Sequence, residues 1–219
     1  MIKTFQATIV FLVDTTSSIR TLDFRRQKEF VKSVAKSFNV CQDSSQAAII
    51  TYGSLTSQKR PTDIYKDLSA FEQAVDKSQY MGGLRRLHLA IDTAEQLLRT
   101  VSPSQKRIVV ILTGGQPLIQ DALSLKQSFK TLHNAGNGAF IVAIGNNYDK
   151  DEFLPAVDWP EDIFSVSSFD NLLPRACSIS KAIAKRTGNE WALFSTDNEL
   201  TSSLISTPYR SRHYNTVPN

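Results

Sequence analysis

The chain is expected to fold as an α/β protein, a doubly wound three-layer α/β/α sandwich around a mostly parallel six-stranded sheet with one antiparallel edge strand. Three observations predict it. Apolar runs at residues 8–13, 107–113 and 138–145 lack the polar alternation of a half-exposed strand, so they suit strands covered on both faces. Between them lie segments whose apolar residues recur at helical spacing. One strand and one helix follow each other in turn, the order that a parallel sheet with crossover helices requires.

The first strand, through Val10-Phe11-Leu12-Val13, ends at Asp14 and runs into Thr15-Thr16-Ser17-Ser18. Phe24, Phe30, Val31, Val34, Ala35 and Phe38 then mark a helix over residues 22–39, with Arg25, Lys28, Glu29 and Lys32 turned outward. Residues 46–52 read as the second strand, closed by Gly53. Residues 61–68 read as a short strand that starts with proline, which places it at an edge. Too few residues join it to its predecessor for a crossover helix, so the two pair antiparallel. Residues 69–78 make a short helix capped by Ser69, and Gly82-Gly83 breaks the chain. Leu84, Leu87, Ile91, Ala94 and Leu98 form the stripe of the next helix. After the strand at 107–113 and Gly114-Gly115, a helical pattern uses Ile119, Ala122, Leu123, Leu125, Phe129 and Leu132. Residues 138–145 and 162–166 supply the last strands, and Phe169, Leu172, Leu173, Ala176, Ser180 and Ile183 the last helix.

The periodic pattern fails beyond Thr187. Residues 1–187 are therefore expected to form one domain and 188–219 a tail, disordered or docked on its surface, where Trp191 and Phe194 favour docking. At 219 residues, 41% hydrophobic and 21% charged, with a net charge of +4, the composition singles out no partner. The basic pairs Arg25-Arg26, Lys59-Arg60, Arg85-Arg86 and Lys106-Arg107 lie apart and lack interleaved aromatics, so they argue against a nucleic-acid track. No apolar run is long enough for membrane insertion, and residues 1–20 lack a secretory pattern. Cys41 and Cys177 permit one disulfide without requiring it; Cys177 falls on a helical apolar stripe, where a buried thiol is expected.

Chemistry in open α/β sheets gathers at the carboxyl ends of strands, which directs attention to Asp14. A carboxylate followed by hydroxyls suits a hard cation such as Mg2+, and equally suits a helix N-cap. Catalytic readings find little support. His88, His133 and His213 lie apart, no G-x-S-x-G elbow occurs, and neither Ser17 nor Ser18 has an evident base. Phosphoryl transfer through Asp14 would want a second acid two residues on, where Thr16 stands. The glycine pairs fit neither G-x-G-x-x-G nor a P-loop. The chain is expected not to be an enzyme.

In element order over residues 5–187, the sequence resembles a von Willebrand factor type A domain, which has a Rossmann-like fold. The resemblance rests on Ile9-Val10-Phe11-Leu12-Val13-Asp14-Thr15-Thr16-Ser17-Ser18, similar to a strand ending in D-x-S-x-S, and on Ala48-Ile49-Ile50-Thr51-Tyr52-Gly53-Ser54. It rests further on Gly82-Gly83 before a helix and on Val109-Val110-Ile111-Leu112-Thr113-Gly114-Gly115, which looks like V-V-x-L-T-D-G. Leu172-Leu173-Pro174-Arg175-Ala176-Cys177 is similar to the final helix of matrix members.

The resemblance implies a metal-ion-dependent adhesion site (MIDAS) at the top of the sheet, with Asp14, Thr16 and Ser18 as its first-loop ligands. The second-loop threonine position holds Arg85, and Gly114 stands where the family has an aspartate. Asp14, Arg85 and Gly114 thus mark the expected ligand-binding surface. A guanidinium there can pair with Asp14 and replace the ion's charge, or point to solvent. The expectation is a degenerate site without a cofactor, the alternative being a weak Mg2+ site. On this view, Arg85→Thr with Gly114→Asp restores metal affinity.

The resemblance further implies a non-catalytic adhesion module of the collagen VI or matrilin kind, secreted to the extracellular matrix or cell surface. Its partners would be protein ligands, such as a matrix protein like collagen, within a homo-oligomer or multidomain array. Two alternatives stay open: a Mg2+-dependent adhesion domain, and an intracellular, cytoplasmic assembly factor, the latter favoured by the lack of N-x-[ST] sequons and the few cysteines.

Overall fold

A computed structural model describes residues 6–41, 44–53, 63–116 and 118–188. Five strands, β1 (Ala7–Asp14), β2 (Gln46–Tyr52), β3 (Lys106–Thr113), β4 (Gly138–Ile144) and β5 (Ile163–Val166), lie in the order β2-β1-β3-β4-β5, every pair parallel. The helices are α1 (Thr21–Ser37), α2 (Leu68–Lys77), α3 (Leu87–Leu98), α4 (Ala122–Asn134) and α5 (Leu172–Thr187).

Because side chains alternate along a strand, β1 feeds two cores. Ile9, Phe11 and Val13 meet α1, α2 and α5 through Phe30, Val34, Phe71, Ile179 and Ile183. Val10 and Leu12 meet α3 and α4 on the opposite face through Leu87, Ile91, Leu98, Phe129 and Leu132. All eight residues of β1 are buried, which is why its sequence shows no polar alternation. This is the expected three-layer α/β/α arrangement. Among the described residues, no helix is long and apolar enough to cross a membrane.

Several local expectations change. The described sheet has five strands where six were expected. Among the described residues the antiparallel edge is a single bridge, in which the Tyr65 amide donates to the Ala47 carbonyl at 2.8 Å and the Ala47 amide to the Tyr65 carbonyl at 3.0 Å. Residues 54–62, which include the start of the expected edge strand, lie outside the described residues, as does the tail from 189. Just past Tyr65 the chain turns helical because Asp67, rather than Ser69, caps α2, its carboxylate accepting from the Ala70 amide at 2.8 Å.

Cys177 is exposed rather than buried, and it and Cys41 are both free. The stripe of α5 runs through Leu172, Ala176, Ile179, Ser180 and Ile183, and Cys177 falls one residue off it. Leu84, Ile119 and Leu123, assigned to buried stripes by their spacing, are 52%, 96% and 82% exposed. Leu84 precedes the first residue of α3, and Ile119 lies in a 3-10 turn before α4.

Candidate functional site

The chain passes from β1 outward to β2, then crosses back to place β3 on the other side of β1. That reversal leaves a crevice between the carboxyl ends of β1 and β3, the usual ligand position in such sheets. Asp14 ends β1 inside it, fully buried. β1 and β3 stay paired only as far as Leu12 and Ile111. Beyond that, Gln27 of α1 takes over the role of a strand: its amide nitrogen donates to the Asp14 carbonyl at 2.8 Å, and its amide oxygen accepts from the Asp14 N–H at 3.2 Å. Gln27 is itself fully buried, so these bonds meet the backbone demand of the crevice without bulk water.

The Asp14 carboxylate is saturated by protein groups. Oδ1 accepts from the Thr16 amide at 2.9 Å and the Thr16 hydroxyl at 2.7 Å. Oδ2 accepts from Arg85 Nε at 3.0 Å and the Gly114 amide at 3.2 Å. Arg85 Nη2 donates to Ser18 Oγ at 2.6 Å and Thr16 Oγ1 at 3.2 Å, and Nη1 to the Gln116 carbonyl at 2.9 Å. Since the Thr16 proton points to Asp14, the Ser18 hydroxyl, 3.0 Å away, donates to Thr16. The structure therefore brings Asp14, Thr16, Ser18, Arg85 and Gly114 together, and Arg85 turns inward onto the acid.

The surrounding loops fix this geometry. The Ser17 amide donates to the Gly83 carbonyl at 3.0 Å, and the Gly83 amide donates to Ser17 Oγ at 2.8 Å. Gly82 and Gly83 take φ of 66° and 90°, a backbone region that glycine enters without steric cost. The Tyr80 hydroxyl lies 2.8 Å from the Ile19 carbonyl and 3.2 Å from that of Thr16, holding the β1–α1 loop from its other side. Tyr52 is fully buried beneath the site; burial first, then the Asp14 carboxylate, push its phenol well above its ordinary pKa. It stays protonated and donates to the Leu112 carbonyl at 2.7 Å.

As donors for Mg2+, these groups provide one carboxylate and two hydroxyls. All four contacts to the carboxylate come from hydrogen-bond donors, and a guanidinium lies among the oxygens. A divalent ion at intermediate dielectric and about 4 Å from that guanidinium would meet a repulsion of several kcal/mol. The donor set does not fit the ion while Arg85 holds this position. A side chain at Gly114 would need Ile19 Cδ1, 2.5 Å from a Cβ there, and the Phe169 ring, whose Cζ is 3.0 Å away, to shift. At Gly115 a Cβ would come within 2.9 Å of Arg85 Nη1, so the second glycine of the pair makes room for the guanidinium. Sequence spacing gave no sign of Gln27, Gly115 or the Gln116 carbonyl. The signal at Gly115 was hidden in a pair that any turn could use.

A family model described as von Willebrand factor type A domain matches residues 8–175. Von Willebrand factor A domain-containing protein 2 of Homo sapiens is 28% identical over 141 residues, covering 63% of this chain and 18% of the relative. Matrilin-2 of Mus musculus is 27% identical over 148 residues, covering 64% and 15%. The collagen alpha-1(VI) chain of Gallus gallus is 23% identical over 149 residues, covering 66% and 15%. The chain thus spans less than a fifth of the length of each of these three relatives. Among solved structures, proximal thread matrix protein 1 from the mussel byssus with a zinc-occupied MIDAS motif superposes with a TM-score of 0.70 at 21% identity, covering 82% of this chain and 46% of that one. The pilus adhesin SpaC of Lactobacillus rhamnosus GG, in an open conformation, gives 0.70 at 13% identity, covering 84% and 31%. At such identities these two structures bear on the fold alone.

Proposed function

The chain belongs to the von Willebrand factor type A family, and from that premise we propose that it is a non-catalytic protein-interaction module of an extracellular matrix or cell-surface protein. It binds its partner without a metal ion. The observation that carries this reading is the position of Arg85. Its guanidinium pairs with Asp14 and donates to both hydroxyls that would serve as ion ligands. The fixed charge of the side chain takes the part of the cation, and a ligand carboxylate finds no open coordination position. Matrilin and collagen VI relatives support a matrix setting, where such domains occur within much longer chains.

The second reading, a Mg2+-dependent adhesion domain, is favoured by the convergence of Asp14, Thr16 and Ser18 oxygens and by the zinc-occupied motif of the mussel protein. Isothermal titration with Mg2+ and Mn2+ separates the two. The wild-type chain is expected to give no saturable heat at millimolar ion, and Arg85→Thr is expected to gain binding that Arg85→Thr with Asp14→Asn loses. Saturable binding to the wild type, abolished by Asp14→Asn, would establish the second reading instead.

A further inference from the structure

Two ionisable groups beside the crevice are packed against each other without a bond. His88, the second residue of α3, and Asp121, just ahead of α4, have side chains only 12% and 11% exposed. Nδ1 of His88 and Oδ2 of Asp121 are buried, have no hydrogen-bond partner among the described residues, and lie 3.8 Å apart. Asp121 holds the N-cap position of α4, where an aspartate ordinarily accepts from the first amides of the helix, yet it makes no such bond. Its carboxylate is turned to α3 instead.

The pair joins the same two segments as the contact that holds the site. Three residues before His88, Arg85 donates through Nη1 to the Gln116 carbonyl at 2.9 Å and through Nε to Asp14 at 3.0 Å. Asp121 lies five residues beyond Gln116. One tether between these segments is made, and the second stands open by about 1 Å, since a charged N–H to carboxylate bond spans about 2.8 Å. A neutral imidazole has one N–H for its two nitrogens, whereas an imidazolium has both and a positive charge.

The other charges near α3 are placed elsewhere. On the elements packed against it, Asp14 of β1 is held by Arg85 and β2 carries no charged residue. On α4, Lys126 and Lys130 are exposed, and His133 lies 3.3 Å from Asp158. On its own segment, Arg85, Arg86 and the helix N-terminus work against a further cation, and Asp92 stands one turn on. Asp121 is the acid that meets Nδ1.

We propose that His88 and Asp121 form a proton-operated clamp: protonation of His88 closes its bond to Asp121, ties the start of α3 to the turn before α4, and fixes Arg85 on Asp14. This rests on the metal-free reading of the site and adds to it a dependence on mild acidity. An imidazole takes up its proton between about pH 8 and pH 5, so the clamp is closed at the acid end of that window and opens as pH rises through it.

The test is a double-mutant cycle of the full chain, with wild type, His88→Asn, Asp121→Asn and both together, by urea unfolding at about pH 5.5 and about pH 8 without divalent ions. Contributions from other titrating groups cancel in the cycle. At the lower pH the coupling is expected to change the unfolding constant about tenfold or more, as one charged hydrogen bond does, and at the higher pH about twofold or less. In the labelled wild type, the Arg85 Nε–H and Gly114 amide signals are expected to move with the His88 imidazole on titration and to stop moving in His88→Asn. Mere packing of His88 would not give that response.

Equal coupling at both pH values, no coupling, or Arg85 signals that ignore the imidazole would overturn the proposal. So would a pH dependence that survives in Asp121→Asn, because it would belong to Asp92. If a substituted chain fails to fold, the wild-type titration decides alone. Saturable ion binding by the wild type rejects the reading of the site, whereas a flat cycle without ion binding rejects the clamp only.

Discussion

Removing the guanidinium of Arg85 as Arg85→Ala leaves a carboxylate with 0% exposure opposite a side chain that was itself only 10% exposed, their contact being 3.0 Å. Breaking a buried ion pair from one side costs about 3–5 kcal/mol, because the remaining charge stays buried without its counterpart. Here the cost falls at the lower end. Asp14 keeps the Thr16 amide, the Thr16 hydroxyl and the Gly114 amide as donors, and the vacated space opens to water at the top of the sheet. A loss of about 3 kcal/mol, with an unfolding slope of about 2 kcal/mol per molar urea, lowers the midpoint by about 1.5 M. The assay is urea unfolding followed by circular dichroism at neutral pH without divalent ions. Arg25→Ala, at an exposed position of α1, serves as the control and is expected to stay within about 0.5 kcal/mol. An Arg85→Ala loss below about 1 kcal/mol, with the slope unchanged, would refute the claim that the guanidinium neutralises a buried charge.

Two further outcomes follow from the same geometry. Gly115→Ala places a Cβ 2.9 Å from Arg85 Nη1 and is expected to cost about 1–3 kcal/mol through overpacking, most of it disappearing in an Arg85→Ala background; an equal cost in both backgrounds counts against a fitted pair. At Asp23, burial works to raise the carboxyl pKa, but hydrogen bonds from Arg20 at 2.6 Å and Arg26 at 2.7 Å outweigh it and hold the group below its ordinary value. A depressed carboxyl adds stability that is present above its unfolded pKa of about 4 and is lost as pH falls through the folded one. Stability measured from about pH 5 to 2 should therefore fall more steeply in the wild type than in Asp23→Asn, and parallel curves would show that the Arg20 and Arg26 contacts carry no net charge coupling.

What could be read from the sequence was what local pattern controls. β1, β3 and β4 announce themselves because a strand buried on both faces must be apolar at nearly every position. The placement of Arg85 and Gly114 against a familiar loop pattern raised the question of whether charge replaces charge at Asp14. Sequence alone left two orientations open for that arginine. The choice belongs to tertiary structure, because only the folded crevice sets a carboxylate, two hydroxyls and the Gln116 carbonyl within reach of one planar fork.

Leu84, Ile119 and Leu123 mark the opposite limit, since helical spacing assigned them to the core, whereas α3 begins after Leu84, Ile119 falls in a 3-10 turn, and Leu123, inside α4, lies off the face that buries Leu125, Phe129 and Leu132. Spacing records which residues share a face, but where a helix begins and what packs on it depend on contacts from far along the chain. Gln27, thirteen residues from Asp14 and on another element, takes its role from one such contact. The apolar order of the strands is thus written in the chain itself, and the electrostatics of the crevice arise only when distant loops close around a single acid.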